Sequence, residues 1–219
     1  MSTRKKKESL DVGVFHGSAC SNCRRENLKL FLKGDRCYTE KCAFERRAYP
    51  PGQHGQARTK FSEFALQLRE KQKVRRLYGL LERQFRGYVK SALKETGVTG
   101  EKLLTNLERR FDDVIYRSGF AASRTQARQL VTHGHFLVNG KKVTIPSYLV
   151  KEGSVIEVHE KSRQLVPILA ALEGIKRREI PQWLELDAAQ FKATMKQAPR
   201  RSDITVPIQE NLIVEYYSR

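Results

Sequence analysis

All four cysteines of the chain fall within 23 residues, as Cys20-x2-Cys23-x13-Cys37-x4-Cys42. A two-residue gap lets one tight turn aim two sulfurs at a common point, and the longer excursion returns a second pair, the spacing of a structural metal site. Between the pairs lie Leu28, Leu30, Phe31 and Leu32. These are too few apolar side chains for an independent core, so a bound ion has to supply much of this segment's folding free energy. The expected ligands are Cys20, Cys23, Cys37 and Cys42. Soft thiolates favour zinc, while an iron–sulfur cluster takes the same four donors and spacing does not separate the two. Four thiolates leave no open position for an activated water, so the ion's role would be structural.

The N-terminus opens Arg4-Lys5-Lys6-Lys7 but continues Glu8-Ser9-Leu10-Asp11, which lacks the apolar stretch of a secretory signal. A cytosolic chain with reduced thiols is expected. No run approaches the ~18 apolar residues of a membrane span, so no membrane partner is expected.

The 219 residues carry 42 Lys plus Arg against 24 Asp plus Glu, a formal charge of +18. Residues 1–90 hold 22 basic and 9 acidic side chains, net +13, whereas residues 91–219 hold 20 and 15, net +5. Basic residues recur across every predicted element rather than along one amphipathic helix, which points to a polyanion and not a lipid surface. Nucleic acid is the expected partner, with DNA and RNA both open on charge alone.

The pattern predicts an α+β fold: an N-terminal four-cysteine metal knuckle, a helical domain, and a small nucleic-acid-binding domain of two helices and antiparallel strands. The expected boundaries are a basic tail and knuckle over 1–46, a helical domain over 47–97, the small helix-plus-sheet domain over 98–163, and a C-terminal extension over 164–219 packing on the others. The loop Tyr49-Pro50-Pro51-Gly52-Gln53-His54-Gly55-Gln56 excludes regular structure. It reads either as a linker or as a pinned backbone offering Gln53 and His54 to splayed bases. From Ser62 to Glu95 the period is helical, with Val74, Leu77, Tyr78, Leu81, Phe85 and Tyr88 forming one apolar stripe and Arg75, Arg76, Arg83, Arg86 and Lys90 pointing elsewhere. Gly97 and Gly100 then interrupt it. Leu103, Leu104, Leu107, Phe111, Val114 and Ile115 mark another helix face.

Ser123-Arg124-Thr125-Gln126 fits a capping box opening a helix to about His133, stopped by Gly134. Arg124 and Arg128 share one face near the positive helix end, so a phosphate there would meet both guanidinium groups. Their exchange for Gln should weaken RNA binding and leave the melting midpoint nearly unchanged. Phe136–Val138 and Val143–Ile145 flank Asn139-Gly140, a hairpin signal, and Ser154–Val158 gives a third strand. His133 and His135 read as packing or RNA-facing groups, not metal ligands. Asp112 and Asp113, flanked by Arg109, Arg110 and Arg117, read as ion-paired.

The run Leu107-Glu108-Arg109-Arg110-Phe111-Asp112-Asp113-Val114-Ile115-Tyr116-Arg117-Ser118-Gly119-Phe120-Ala121, then Ser123-Arg124-x-x-Ala127-Arg128-Gln129-Leu130-Val131-x-His133-Gly134-His135 and Val138-Asn139-Gly140, resembles the bacterial family of small-subunit ribosomal protein four. The likeness extends upstream through Pro51-Gly52-Gln53-His54-Gly55 and Gln67-Leu68-Arg69-Glu70-Lys71-Gln72-Lys73-Val74-Arg75-Arg76, and closes with Trp183-Leu184-Glu185 and the terminal Leu212-Ile213-Val214-Glu215-Tyr216-Tyr217-Ser218-Arg219. It covers nearly the whole chain from about Cys20.

The resemblance implies a non-enzymatic constituent of the ribosome. Such a protein is a primary binder of small-subunit ribosomal RNA that nucleates assembly of the subunit body, beside ribosomal protein five at an interface linked to decoding accuracy. It also implies that Arg58 and Lys60 lie near the channel through which messenger RNA enters. The expected RNA-binding set is Arg24, Arg25, Arg46, Arg47, Gln53, His54, Arg58, Lys60, Arg69, Lys71, Lys73, Arg75, Arg76, Arg83, Ser123, Arg124, Arg128, His133, His135 and Lys141. Two rivals share features of the chain: an RNA-modifying enzyme carrying the same small domain, and a zinc-containing nucleic-acid-binding regulator. Residues 160–219 carry no phosphate-binding glycine loop, nucleophile elbow or grouped acid–base set for the first.

Overall fold

A computed structural model describes residues 18–57 and 60–218; residues 1–17, with the basic Arg4–Lys7 run, and the predicted site residue Arg58 lie outside it. The cysteine segment folds as a short helix α1 (Ala19–Arg25), a 3-10 turn over Gly34–Tyr38 and a single turn α2 (Ala43–Arg46). Helices α3 (Glu63–Leu77), α4 (Glu82–Ala92) and α5 (Thr99–Glu108) follow, then α6 (Phe111–Arg117) and α7 (Arg124–Thr132). Next come strands β1 (Phe136–Val138), β2 (Lys141–Lys142) and β3 (Val155–Val158), helix α8 (Val166–Glu173), strands β4 (Leu184–Asp187) and β5 (Lys192–Met195), and helix α9 (Glu210–Ser218). The strands form one antiparallel sheet in the order β2-β1-β3-β5-β4.

Two helical periods read as continuous from the sequence are each broken in space. The Ser62–Glu95 stripe divides at Gly79, whose φ of +62° ends α3 and is cheap only for glycine. Leu81 lands at the start of α4, 41% exposed, outside the core its period predicted. The second face divides at Arg110, whose extended backbone separates α5 from α6. Leu103, Leu104 and Leu107 therefore pack with Val74, Leu77, Phe85 and Val89 in a first core, whereas Phe111, Val114 and Ile115 open a second. A break at this point costs little because the freed groups find partners: the Val150 amide donates to the Arg109 carbonyl at 2.9 Å and the Phe111 amide to the Tyr148 carbonyl at 2.8 Å.

The first core is closed from the C-terminus by Ile204, Ile208 and Ile213, with α9 lying along α3. The second joins α6 and α7 to the inner sheet face through Val131, Phe136, Ile156, Trp183 and Met195. Each such fully buried large side chain contributes about 1.5–3 kcal/mol.

Local signals in the α7 region hold in part. The Ser123 hydroxyl accepts from the Gln126 amide at 3.3 Å, but the Gln126 side chain reaches one residue further back, accepting from the Ala122 amide at 2.6 Å. Asn139 and Gly140 take φ of +49° and +75°, the two positive angles of a tight hairpin turn. The returning strand is Lys141–Lys142 rather than the predicted Val143–Ile145. A two-residue turn starts pairing immediately, and Pro146 follows too soon to let it run on.

Candidate nucleic-acid interface

The sulfur cluster is assembled by local geometry. Cys20 and Cys23 sit three apart on α1, Cys37 on the 3-10 turn, and Cys42 immediately before α2. All four line one small cavity of about 20 Å³ with Leu32, Lys33 and Phe44, and all are free thiols. The Lys33 amide donates to Cys37 Sγ at 3.4 Å. Burial pushes the Cys23 and Cys37 thiols up from their ordinary range. Among the described residues no set of three or more His, Cys, Asp or Glu side chains stands at metal-holding geometry. The predicted knuckle is thus seen as four thiols lining one cavity. The donor set itself, four soft sulfurs, fits zinc.

The predicted RNA-binding residues fall into two groups. Arg25, Arg46, Arg47, Gln53, His54, Lys60, Arg83, His133 and Lys141 are exposed. Among them, Arg25 braces the loop by donating to the Pro51 carbonyl at 3.2 Å, while the half-buried Arg24 donates to the Tyr49 carbonyl at 2.9 Å and stacks over the Tyr49 ring at 5.0 Å. The Pro-Gly loop is thereby tied to α1.

The α3 cations are engaged by protein carboxylates. Lys71 is buried, 2.7 Å from Glu82 and 4.7 Å over the Tyr216 ring. Lys73 pairs with Glu70 at 2.7 Å, Arg75 reaches Glu82 at 3.8 Å, and both Arg69 and Arg76 pair with Glu26. The Glu26 and Glu82 contacts staple α3 to the cysteine segment and to the start of α4.

At α7 the expected phosphate clamp meets a different geometry. Arg124 is turned inward: its Nε lies 2.5 Å from Asp113 Oδ1, and its guanidinium stacks over Tyr116 at 4.6 Å and Tyr78 at 5.1 Å. This inward ion pair argues against the expectation that exchanging Arg124 leaves the melting midpoint unchanged. Arg128 donates Nη1 to the Gly79 carbonyl at 3.1 Å, bridging α7 to the turn that ends α3. Ser123 is occupied as the cap. The His133 and His135 rings lie 6.0 Å apart, and His135 Nδ1 is 2.9 Å from the Ser162 hydroxyl. Burial, then the His133 charge, pulls His135 below the usual imidazole range.

The ion pairs predicted for the two aspartates are present. Arg110 grips Asp112 through Nε at 3.0 Å and Nη2 at 2.7 Å, and Asp113 pairs with Arg124 and, at 3.7 Å, with Arg117. Sequence reasoning missed two further members, Glu108 and Tyr78. Glu108 is 1% exposed and receives both Arg117 and the Tyr78 hydroxyl, the latter at 2.7 Å. Its place at the end of α5, four residues before Asp112, was the available signal.

Residues 109–156 match the S4 domain family and residues 15–108 the ribosomal protein S4/S9 N-terminal domain family. Together these matches define an S4-domain protein. Proteins named small ribosomal subunit protein uS4 from Pelobacter propionicus and Geotalea daltonii are 62% identical over 205 residues, 94% of this chain and 99% of theirs. A uS4A protein from Myxococcus xanthus is 61% identical over the same span. The chain belongs to the uS4 family. These relationships support neither an RNA-modifying enzyme nor a zinc-containing regulator. Among the described residues no helix is long and apolar enough to cross a membrane.

Proposed function

We propose that this chain is a non-enzymatic structural component of the small ribosomal subunit in the cytoplasm, binding small-subunit ribosomal RNA early and so nucleating assembly of the subunit body. The observation that carries the reading is its 62% identity over 94% of the chain to proteins bearing that name. The physical account is mutual ordering. RNA helices brought close together repel, and a rigid body of charge +18 lowers that cost while holding them at one angle.

The exposed set Arg25, Arg46, Arg47, Gln53, His54, Lys60, Arg83, His133 and Lys141 supplies the outer contacts, together with Arg58. Arg24, Arg69, Lys73, Arg75, Arg76 and Arg128 contribute their outer edges, and Lys71, Ser123, Arg124 and His135 hold the surface in shape. We further propose that Cys20, Cys23, Cys37 and Cys42 take one zinc ion, an iron–sulfur cluster being the rival with the same donors. The zinc would fix Arg24, Arg25, Arg46 and Arg47 at defined separations. Ribosomal protein five is the proposed protein neighbour, with a contribution to translational accuracy, and the Arg58–Lys60 region is proposed to lie near messenger RNA.

Competition binding between structured small-subunit ribosomal RNA and duplex DNA tests the main reading. Strong preference for the ribosomal RNA is expected; equal binding would contradict it.

A further inference from the structure

A cleft of about 1020 Å³ opens between the cysteine segment, the second core and residues 175–182. Tyr116 in its wall is flanked by two guanidinium groups, Arg124 at 4.6 Å and Arg178 at 5.2 Å from the ring centre. Arg124 gives its Nε to Asp113, and Arg178 gives its Nη1 to the Ala121 carbonyl at 3.0 Å. The buried Nη2 of each has no hydrogen-bond partner. The Arg124 side chain is only 10% exposed, so water does little to relieve this, and an unmet donor on a buried cation is costly. Two guanidinium groups lining one cleft suit the oxygens of a phosphate.

The same cleft is lined by Phe31 and Tyr38, stacked with ring centres 4.9 Å apart, and Tyr38 is 41% exposed. Gln182 adds an uncharged amide of the kind that reads a base edge. Glu179 and Asp203 also line the cleft, and their charges repel a run of phosphates, limiting the site to one. The walls are pinned: a Cβ on Gly34 would meet the Ala122 carbonyl oxygen at 2.8 Å, and one on Gly119 would meet the Ile175 side chain at 2.2 Å.

We infer that this cleft holds a single nucleotide unit, its base on the Tyr38–Phe31 pair and its phosphate against the Arg124 and Arg178 side chains that line it. The inference rests on the RNA reading above for a nucleotide extruded from a strand; a free mononucleotide presents the same base and phosphate.

The test uses the full chain, with Tyr38→Ala and Arg178→Gln, in two arms: titration with adenosine 5′-monophosphate, and binding to small-subunit ribosomal RNA at fixed salt. Each variant is expected to bind the RNA about tenfold more weakly, the scale of one base–aromatic stack. Loss of RNA affinity in the variants places the nucleotide in the strand. Mononucleotide binding that both variants abolish, with RNA affinity unchanged, supports a free nucleotide as occupant. Unchanged RNA affinity in both variants and no mononucleotide binding overturns the cleft while leaving the RNA reading intact. A wild-type chain that ignores the RNA fails that reading instead, and the mononucleotide arm alone then decides the cleft. Should Arg178→Gln lower the melting midpoint, the partly exposed Tyr38→Ala carries the comparison.

Discussion

Arg117 on α6 holds the Glu108 carboxylate at the end of α5 through two hydrogen bonds, Nε at 2.9 Å and Nη2 at 2.6 Å. Because α5 belongs to the first core and α6 to the second, this pair is the rivet between them. Tyr78 from the end of α3 bonds the same carboxylate, and Arg124 from α7 closes the cluster on Asp113. The relative placement of two basic modules, which a folded RNA would read, thus depends on a buried network of charges.

Removing Glu108 leaves the mostly buried Arg117 with only its longer contact, 3.7 Å to Asp113. Glu108→Ala is expected to destabilise the chain by about 3–5 kcal/mol, measured by urea unfolding at pH 7. A cost near zero would mean that the two cores are held by apolar packing alone.

The same network sets a pH dependence. Burial, reinforced by the neighbouring Glu108 charge against the pull of Arg124, pushes the Asp113 carboxyl up from its ordinary value of 3.8. From that ordinary value upward the folded chain therefore holds more of this proton than the unfolded chain, and this contribution to stability falls as pH rises through the raised value. Glu108 works the other way. Held down at about 2 by the Arg117 charge and hydrogen bonds against burial, it contributes stability that is lost as pH drops from 4.5 toward 2. Asp113→Asn should flatten the decline above about pH 4 relative to wild type. An unaltered profile in unfolding titrations would remove Asp113 as its source.

Arg124 and Arg128, alike in the sequence, should separate experimentally. Arg124→Gln removes an interior ion pair and is expected to cost about 3 kcal/mol as well as RNA affinity. Arg128→Gln gives up one hydrogen bond to the Gly79 carbonyl and is expected to cost about 1 kcal/mol. Thermal melts of the two variants, with RNA binding alongside, check the order; equal costs would contradict it.

Protein purified without chelator is expected to contain one zinc per chain and to show no visible absorption. Stripping the metal should lower the melting midpoint and weaken RNA binding together, because the cysteine segment has only Leu30 as a deeply buried anchor. A coloured preparation would assign an iron–sulfur cluster instead, and a metal-free protein of unchanged midpoint would leave the four thiols without that role.

Much of this was legible in the sequence. Cysteine spacing gave the convergence of Cys20, Cys23, Cys37 and Cys42, and Ser123 and Asn139-Gly140 marked a cap and a turn that local chemistry determines. Breaks that depend on tertiary partners were not legible. Arg110 interrupts an apolar period because the α5–α6 junction finds hydrogen bonds in Tyr148 and Val150, roughly forty residues on. The inward turn of Arg124 depends on Tyr78 and Asp113 meeting it from two other helices, and nothing local to Ser123–Arg128 encodes that. The sheet is completed by β5 pairing with β3 and β4 with β5, a distant choice that a short, mixed pattern around Leu184–Met195 does not announce.

The most direct measurement is the affinity for structured small-subunit ribosomal RNA as a function of salt, with duplex DNA as competitor. If a fixed cationic surface neutralises about ten phosphates, log affinity falls against log salt with a slope of several units, and the RNA keeps its preference over DNA throughout. A slope near one, or equal displacement by the duplex, would contradict the account.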